Sequence, residues 1–185
     1  LQPRNTIMYM DNDIEYLCYT GEYYKPCVMQ QPLLQGHIEE QIKNATRAKS
    51  NECFNSLEKN FRSQGYNVNL QRNDYDVELL PERVVVTYNY PLTLTRDGSQ
   101  RLDTLSVSYD NNLYELSTIA TSILNMEARY GDSETTTYMT YYPDIKVEKM
   151  KQTDGSTIYI LTDRESGDKF QFASRSVAWP PGYGA

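Results

Sequence analysis

The chain has 185 residues, a formal net charge of −7, and 17 tyrosines against a single histidine. This length is enough for one domain, or two small ones, with a substantial core. The acidic balance, with no cluster of Lys and Arg, disfavours nucleic acid as a partner because a phosphate backbone repels a negative surface. The single histidine disfavours a reaction centre, so we expect no enzyme, no catalytic residue, no metal and no cofactor.

Residues 1–32 form a segment rich in Tyr and Cys, with short strands expected at 7–10 and 14–19. Cys18 and Cys27 bracket a stretch that contains Gly21 and Pro26, both of which favour a turn. A hairpin there would bring the two thiols within reach of a disulfide. Pairing of either one with the third thiol, Cys53, and three reduced thiols are the alternatives.

A long helix is predicted over 34–63. Its apolar positions recur at spacings of three and four and are Leu34, Ile38, Ile42, Ala45, Cys53, Leu57 and Phe61. Because Cys53 lies on this face, we expect it to be buried. Gly65 suits the end of the helix. Asn44 begins an Asn-Ala-Thr triplet and is a candidate for N-glycosylation if the chain is exported.

The pattern then changes to a period of two. Tyr75, Val77 and Leu79 mark one strand, and the even residues of 84–94 mark the buried face of a longer one. Pro91 places an edge or a bulge in that longer strand. Asp97-Gly98 predicts a hairpin turn, after which Leu105, Val107 and Tyr109 are expected to point inward.

A second helix is predicted over 112–130, with Gly131 ending it. Strands are expected at 138–142, 145–150, 157–162 and 169–173, and residues 176–185 are an irregular tail rich in Pro and Gly. The predicted class is α+β, with two helices packed on antiparallel meander sheets. We expect residues 33–175 to form a single domain.

The tyrosines divide into two kinds. Some fall on predicted core faces, where the ring packs and the hydroxyl needs a partner. These are Tyr75, Tyr88, Tyr90, Tyr109 and Tyr130. The others gather in two clusters and are the candidates for an interface or a ligand site. These are Tyr9, Tyr16, Tyr19, Tyr23, Tyr24, Tyr138, Tyr141 and Tyr142.

The sequence contains the residue types for a zinc site and for acid-pair hydrolysis, but not in the arrangement that either chemistry needs. The three cysteines and His37 could ligate zinc, but their spacings do not fit the short knuckles of structural zinc sites. Acid-pair hydrolysis needs two carboxyl groups that converge on one bond. The neighbouring pairs are Glu39 with Glu40, Asp74 with Asp76, and Asp163 with Glu165.

Several stretches carry a resemblance to a known group of proteins. They are Tyr16–Thr20, Tyr23–Leu34, His37–Glu40, Glu52–Phe61 and Gly65-Tyr66. They resemble uncharacterised exported proteins of small-genome archaea, in which one N-terminal hydrophobic helix, often with a pilin-like leader, precedes a secreted α+β region. The resemblance covers mainly residues 14–110. It implies a place at the cell surface, and it carries no activity and no catalytic residue.

The leading hypothesis is a non-enzymatic, extracytoplasmic structural or interaction domain at the cell surface. Its partner would be a second copy, as in a filament or surface layer, or another surface protein. We expect contact with a membrane only through an anchor absent from this chain. The alternatives are a carbohydrate-binding module that uses the Tyr clusters and, less favoured, an acid-pair hydrolase.

Overall fold

The computed structural model describes residues 6–178, and within them it has the predicted α+β class. The two predicted helices are confirmed as α1 (Leu34–Ser63) and α2 (Leu113–Tyr130), and a short third helix, α3 (Thr136–Tyr141), follows them. The chain divides into two compact units, one made of the described parts of 1–35 and 111–185, the other of 36–110.

The first unit contains a mixed six-stranded sheet. Its strands are β1 (Thr6–Tyr9), β2 (Asn12–Tyr19), β3 (Val28–Met29), β10 (Ile145–Lys151), β11 (Ser156–Asp163) and β12 (Lys169–Arg175). The order is β1-β2-β12-β11-β10, with β3 also paired to β2. All pairs are antiparallel except β2 with β12, which is parallel and places Tyr16 opposite Ala173.

The central strand β11 is buried on both faces, as its run of apolar residues requires. One face contributes Ile158 and Ile160 to a cluster with Ile14, Tyr16 and Ala173. On β11, Tyr159 is fully buried and stacks on Phe172 of β12, with ring centroids 5.1 Å apart. Helix α2 packs against β11 and β12 and ends, as predicted, at Gly131 in the left-handed conformation.

The structure groups the chain differently from the expected division into a segment 1–32 and a single domain 33–175. Strand β2, in the N-terminal segment, is hydrogen-bonded to β12 of the same unit, and the paired residues, such as Tyr16 and Ala173, are far apart in the chain. A pairing between such distant strands leaves no local signal. Of the predicted tail, residues 176–178 are irregular, and 179–185 lie outside the described residues.

The second unit has two three-stranded antiparallel sheets. Their strands are β4 (Asn67–Leu70), β5 (Tyr75–Leu80), β6 (Arg83–Tyr88), β7 (Leu92–Thr95), β8 (Ser99–Leu102) and β9 (Leu105–Asp110). The orders are β4-β7-β8 and β5-β6-β9. The predicted strand 84–94 is therefore two strands, divided around Pro91, which cannot donate to a ladder. The predicted return strand is also two strands, β8 and β9.

Helix α1 buries the predicted face at its two ends but not in its middle: Leu34 and Ile38 are buried, whereas Ala45 is exposed. Cys53 is exposed, and the neighbouring Phe54 is buried in its place. The inward positions of the helix middle are polar: Thr46 Oγ1 lies 3.1 Å from the Tyr75 hydroxyl, and Ser50 Oγ lies 2.8 Å from the Tyr88 hydroxyl. Polar residues of the helix thus face the tyrosine hydroxyls of the sheet, so apolar spacing alone does not identify the buried positions in the middle of α1.

Replacing Ser50 with alanine is expected to lower the free energy of unfolding of the second unit by about 1 kcal/mol, because the Tyr88 hydroxyl loses its partner. Adding Tyr88→Phe to Ser50→Ala removes both partners and should cost less than the sum of the single changes. Hydrogen exchange of the β6 amides measures the loss of stability in Ser50→Ala, in Tyr88→Phe and in the double variant. Additive losses would contradict a direct bond between the two hydroxyls.

Three further expectations are corrected by the structure. Tyr109 and Tyr130 are 60% and 50% exposed and so are not core residues. Leu105 is 40% exposed because β9 is the outer strand of its sheet. Residues 138–142 are not a strand, since most of them belong to α3; there the Thr136 amide donates to Glu134 Oε1 at 2.8 Å, at the start of the helix. No helix within residues 6–178 is long and apolar enough to span a membrane.

Candidate interaction surface

The eight candidate tyrosines do not form one surface. Tyr16 is buried, and its hydroxyl lies 2.7 Å from Ser156 Oγ. Tyr9 and Tyr19 are half-buried against the same core cluster, and Tyr9 donates its hydroxyl to Met150 Sδ. These three rings are packing residues of the first unit. Four of the eight are more than half exposed: Tyr23, Tyr24, Tyr141 and Tyr142.

Tyr23 and Tyr24 lie in a loop that a disulfide closes. Cys18, at the end of β2, is joined to Cys27, just before β3, with 5.4 Å between their Cα atoms. Both half-cystines are buried, at 0% and 3% exposure. The two tyrosines between them are 66% and 70% exposed. The disulfide is therefore buried, and the two tyrosine rings are exposed to solvent. We call residues 20–27 the tyrosine loop.

The tyrosine loop is also hydrogen-bonded to the chain that follows β12. The Thr20 amide donates to the Arg175 carbonyl at 2.9 Å, and the Tyr24 amide donates to the Val177 carbonyl at 2.7 Å. The Val177 amide donates in return to the Lys25 carbonyl at 3.2 Å. The Arg175 guanidinium, which donates to the Thr20 carbonyl at 2.5 Å, lies over the ring of Tyr19. A loop held by a covalent bridge and several backbone bonds loses little entropy when it binds.

Tyr24 adopts a backbone conformation that tyrosine rarely takes. Its φ is +62°, in the left-handed region, where a side chain with a Cβ is strained. Such strain persists only where surrounding structure enforces it, and it is found most often at binding and catalytic sites. In this loop the disulfide and the bond to Val177 enforce it. The result is a large ring at a position where glycine would fold more easily.

Tyr24→Gly is expected to raise the free energy of unfolding of the first unit by about 0.5–1 kcal/mol, because glycine adopts positive φ without strain. Tyr23→Gly is the matched control. Tyr23 is not among the residues with positive φ, so its replacement should lower stability by about the same amount. Chemical denaturation of the two variants gives the comparison. Equal losses in both would contradict strain at Tyr24.

The second cluster lies in and just after α3. The hydroxyl of Tyr138 is 2.9 Å from Ser122 Oγ on α2, so this residue attaches α3 to α2. Tyr141 and Tyr142 are 76% and 52% exposed. This second pair of exposed rings is a useful comparison for the tyrosine loop, since it lies in the same unit.

Two other predicted sites lie on helix α1. Cys53 is a free, exposed thiol, which agrees with the pairing of the other two cysteines. The Asn44 side chain is exposed, and its amide nitrogen donates to Glu40 Oε1 at 3.2 Å. Whether Asn44 carries a glycan stays a prediction.

Members of all three carboxylate pairs make structural contacts. Glu39 Oε1 accepts the Leu79 amide at 2.9 Å, and Asp74 pairs with Lys43 at 2.6 Å. Asp163 accepts the amides of Ser166 and Glu165 at the turn after β11, and these bonds lower its pKa. A general acid would need the opposite shift. These contacts give the carboxylates roles in holding helix, strand and turn.

The carboxyl group that sequence reasoning missed is Glu127. It lies on the buried face of α2 with 1% exposure, and its Oε1 accepts a hydrogen bond from the Tyr159 hydroxyl. Burial raises the pKa of Glu127, and the bond from Tyr159 opposes that rise. The available signal was a glutamate in the apolar stripe of the helix, four residues after Ile123. One enclosed carboxyl group is a feature of the core and presents no open site.

Within residues 6–178, no group of three or more His, Cys, Asp and Glu side chains is arranged to hold a metal ion. Comparison with models of protein families found no match for this chain. Searches of curated proteins and of solved structures also found no match.

Proposed function

We propose that this chain is a non-enzymatic, extracytoplasmic interaction domain that binds another surface protein through the tyrosine loop. The observation that carries the proposal is a pair of adjacent, exposed tyrosines in a loop closed by the Cys18–Cys27 disulfide. Tyr is enriched at protein interfaces, where its ring supplies contact area and its hydroxyl a hydrogen bond. A stable disulfide is typical of proteins that leave the cytoplasm.

A protein partner is favoured over a carbohydrate by the way the rings are distributed. A sugar platform needs several exposed rings in one groove. Four of the eight candidates are instead buried or half-buried, and the hydroxyls of Tyr9, Tyr16 and Tyr138 are bonded within the fold. Two exposed rings on a rigid loop match the small central group of residues that dominates many protein interfaces.

The test is saturable binding to intact cells of the source organism. The exposed thiol of Cys53 allows labelling with a fluorophore without disturbing the disulfide. Serine at both Tyr23 and Tyr24 is expected to weaken binding more than tenfold, since central tyrosines contribute about 2 kcal/mol or more. Serine at both Tyr141 and Tyr142 is the matched control and should leave binding intact.

Three outcomes would contradict the proposal. One is the absence of saturable binding, and another is equal binding by the two double variants. The third is binding that survives protease treatment of the cells but is lost after periodate oxidation of their glycans, which would favour the carbohydrate-binding alternative. The extracytoplasmic location is tested separately on native protein. Alkylation before reduction should modify one cysteine, because the other two form the disulfide. Three free thiols would contradict export.

A further inference from the structure

Strand β9 of the second unit is an outer strand with apolar residues in solvent. It follows β6 as the last strand of the β5-β6-β9 sheet. Leu105 and Tyr109 are 40% and 60% exposed, and Val107 between them is half-buried. These three alternate with Ser106 and Ser108, so one face of β9 is apolar and the other is polar.

The apolar side of β9 continues the core face of its sheet. The register with β6 places Tyr109 opposite Val84, Val107 opposite Val86, and Leu105 opposite Tyr88. Val84 and Val86 are buried. Helix α1 covers that face over β5 and β6, where Thr46 and Ser50 reach the hydroxyls of Tyr75 and Tyr88. The cover does not extend to β9, whose side chains remain largely exposed.

The edge of β9 also lacks the usual protection against pairing. Natural edge strands carry Lys, Pro or inward charges that prevent another strand from adding. Strand β10, an edge of the first unit's sheet, has Lys146, Lys149 and Lys151. Strand β9 reads Leu-Ser-Val-Ser-Tyr-Asp and has no Lys, Arg or Pro. An unprotected apolar edge is a template for one more strand.

The sequence of β9 is complementary to itself in the antiparallel direction. When two copies are aligned with Val107 facing Val107, Leu105 of each faces Tyr109 of the other, and Ser106 faces Ser108. Aromatic–aliphatic and hydroxyl–hydroxyl pairs stabilise antiparallel strands. The one charged residue of the strand, Asp110, then lies opposite Thr104, so no like charges meet.

We propose that β9 pairs with β9 of a second copy of this chain, antiparallel and centred on Val107. The β5-β6-β9 sheet of one copy then joins the same sheet of the other copy, and the result is one sheet of the order β5-β6-β9-β9-β6-β5. The two-fold axis of an antiparallel pair is perpendicular to the sheet, so both α1 helices lie on the same face. The exposed rings and aliphatic chains of the two β9 strands fill the groove between them. This surface is separate from the tyrosine loop and extends the proposed function to self-association.

Cross-linking at the two-fold axis tests the register. All variants carry Cys53→Ser, which removes the free thiol. Residues directly opposite in an antiparallel pair have Cα atoms about 4.5–5.5 Å apart, within the reach of a disulfide. Val107→Cys should therefore form a covalent dimer under mild oxidation. In Tyr109→Cys the two thiols are offset by four residues, about 13 Å along the strands, and should not cross-link.

Mixing the Leu105→Cys and Tyr109→Cys proteins should restore cross-linking, because these positions face each other in the proposed register. The unmodified chain should sediment as a dimer that dissociates on dilution, and Val107→Lys, which places two ammonium groups face to face, should sediment as a monomer. Far-UV circular dichroism verifies that each variant is folded. Serine at Tyr23 and Tyr24 should leave the dimer intact, so failure of the tyrosine loop as a binding site is distinguishable from failure here.

Two results would overturn the β9 pairing. The first is an unmodified chain that stays monomeric at its highest soluble concentration. The second is cross-linking of Val107→Cys and Tyr109→Cys to the same extent, which would indicate random collision instead of a fixed register.

Discussion

Replacing Glu127 with alanine is expected to lower the free energy of unfolding of the first unit by about 3 kcal/mol. The change leaves the fully buried hydroxyl of Tyr159 without its acceptor and opens a cavity between α2 and β11. Hydrogen exchange of the β11 amides, followed by mass spectrometry, measures the loss in this unit separately from the rest of the chain.

Glu127→Gln is the matched variant and gives a test in pH. Because burial raises the folded pKa of Glu127, its contribution to stability is fully present below the unfolded pKa. As pH rises above that value the contribution decreases by about 1.4 kcal/mol per pH unit, and it is lost as pH passes through the folded pKa. Glutamine keeps an acceptor for Tyr159 and does not ionise.

The wild-type chain should therefore lose stability relative to Glu127→Gln as pH is raised from about 4, near the unfolded pKa of a glutamate. The variant is expected to be the more stable of the two at the alkaline end. Denaturant titrations at a series of pH values measure the difference. Parallel stability profiles for the two proteins would contradict a raised pKa of Glu127 in the folded chain.

Removing the disulfide is expected to have the second large effect. Replacing Cys18 and Cys27 together with alanine should lower the free energy of unfolding by about 2–3 kcal/mol, the value expected for a closed loop of about ten residues. The tyrosine loop should also exchange its amide hydrogens faster, because the bridge no longer fixes the ends of the loop. Binding to cells should fall with the loss of loop order.

The third cysteine supplies the control. Cys53→Ser changes an exposed thiol on α1 and should alter stability by no more than about 0.5 kcal/mol. A reducing agent should destabilise the wild-type chain and Cys53→Ser equally and leave the double alanine variant unchanged. A wild-type chain that is indifferent to reduction would contradict the role of the bridge.

The parts of the fold that follow from local pattern could be predicted. Both long helices show apolar spacing over several turns, and a left-handed glycine, Gly131, ends α2 because no other residue adopts that conformation so easily. The α+β class follows from helices that interrupt hairpin-joined strands. The disulfide was among the alternatives because Cys18 and Cys27 flank a turn.

Other parts depend on contacts that no local pattern carries. Cys53 was expected inside because apolar residues were assumed to mark the buried face of α1. The face that is buried carries Thr46 and Ser50, since the sheet opposite presents tyrosine hydroxyls. The parallel pairing of β2 with β12 depends on two segments far apart in the chain. Whether Leu105 and Tyr109 are covered depends on how far α1 extends over the sheet.

The candidate surface shows the same division. Eight tyrosines that cluster in the sequence were candidates for an interface. Only their burial in the structure distinguishes Tyr16, which packs in the core, from Tyr23 and Tyr24, which are exposed. The positive φ of Tyr24 is enforced by bonds to residues after β12 and has no signature in the loop itself.

The most direct test of the proposed function is photo-cross-linking from the tyrosine loop on intact cells. A photoreactive phenylalanine analogue replaces Tyr23 in one protein and Tyr141, another exposed ring of the same unit, in the control. We expect a discrete covalent adduct between position 23 and a different surface protein, and none from position 141. No adduct from position 23, an adduct with a second copy alone, or equal adducts from both positions would contradict the tyrosine loop as the binding surface.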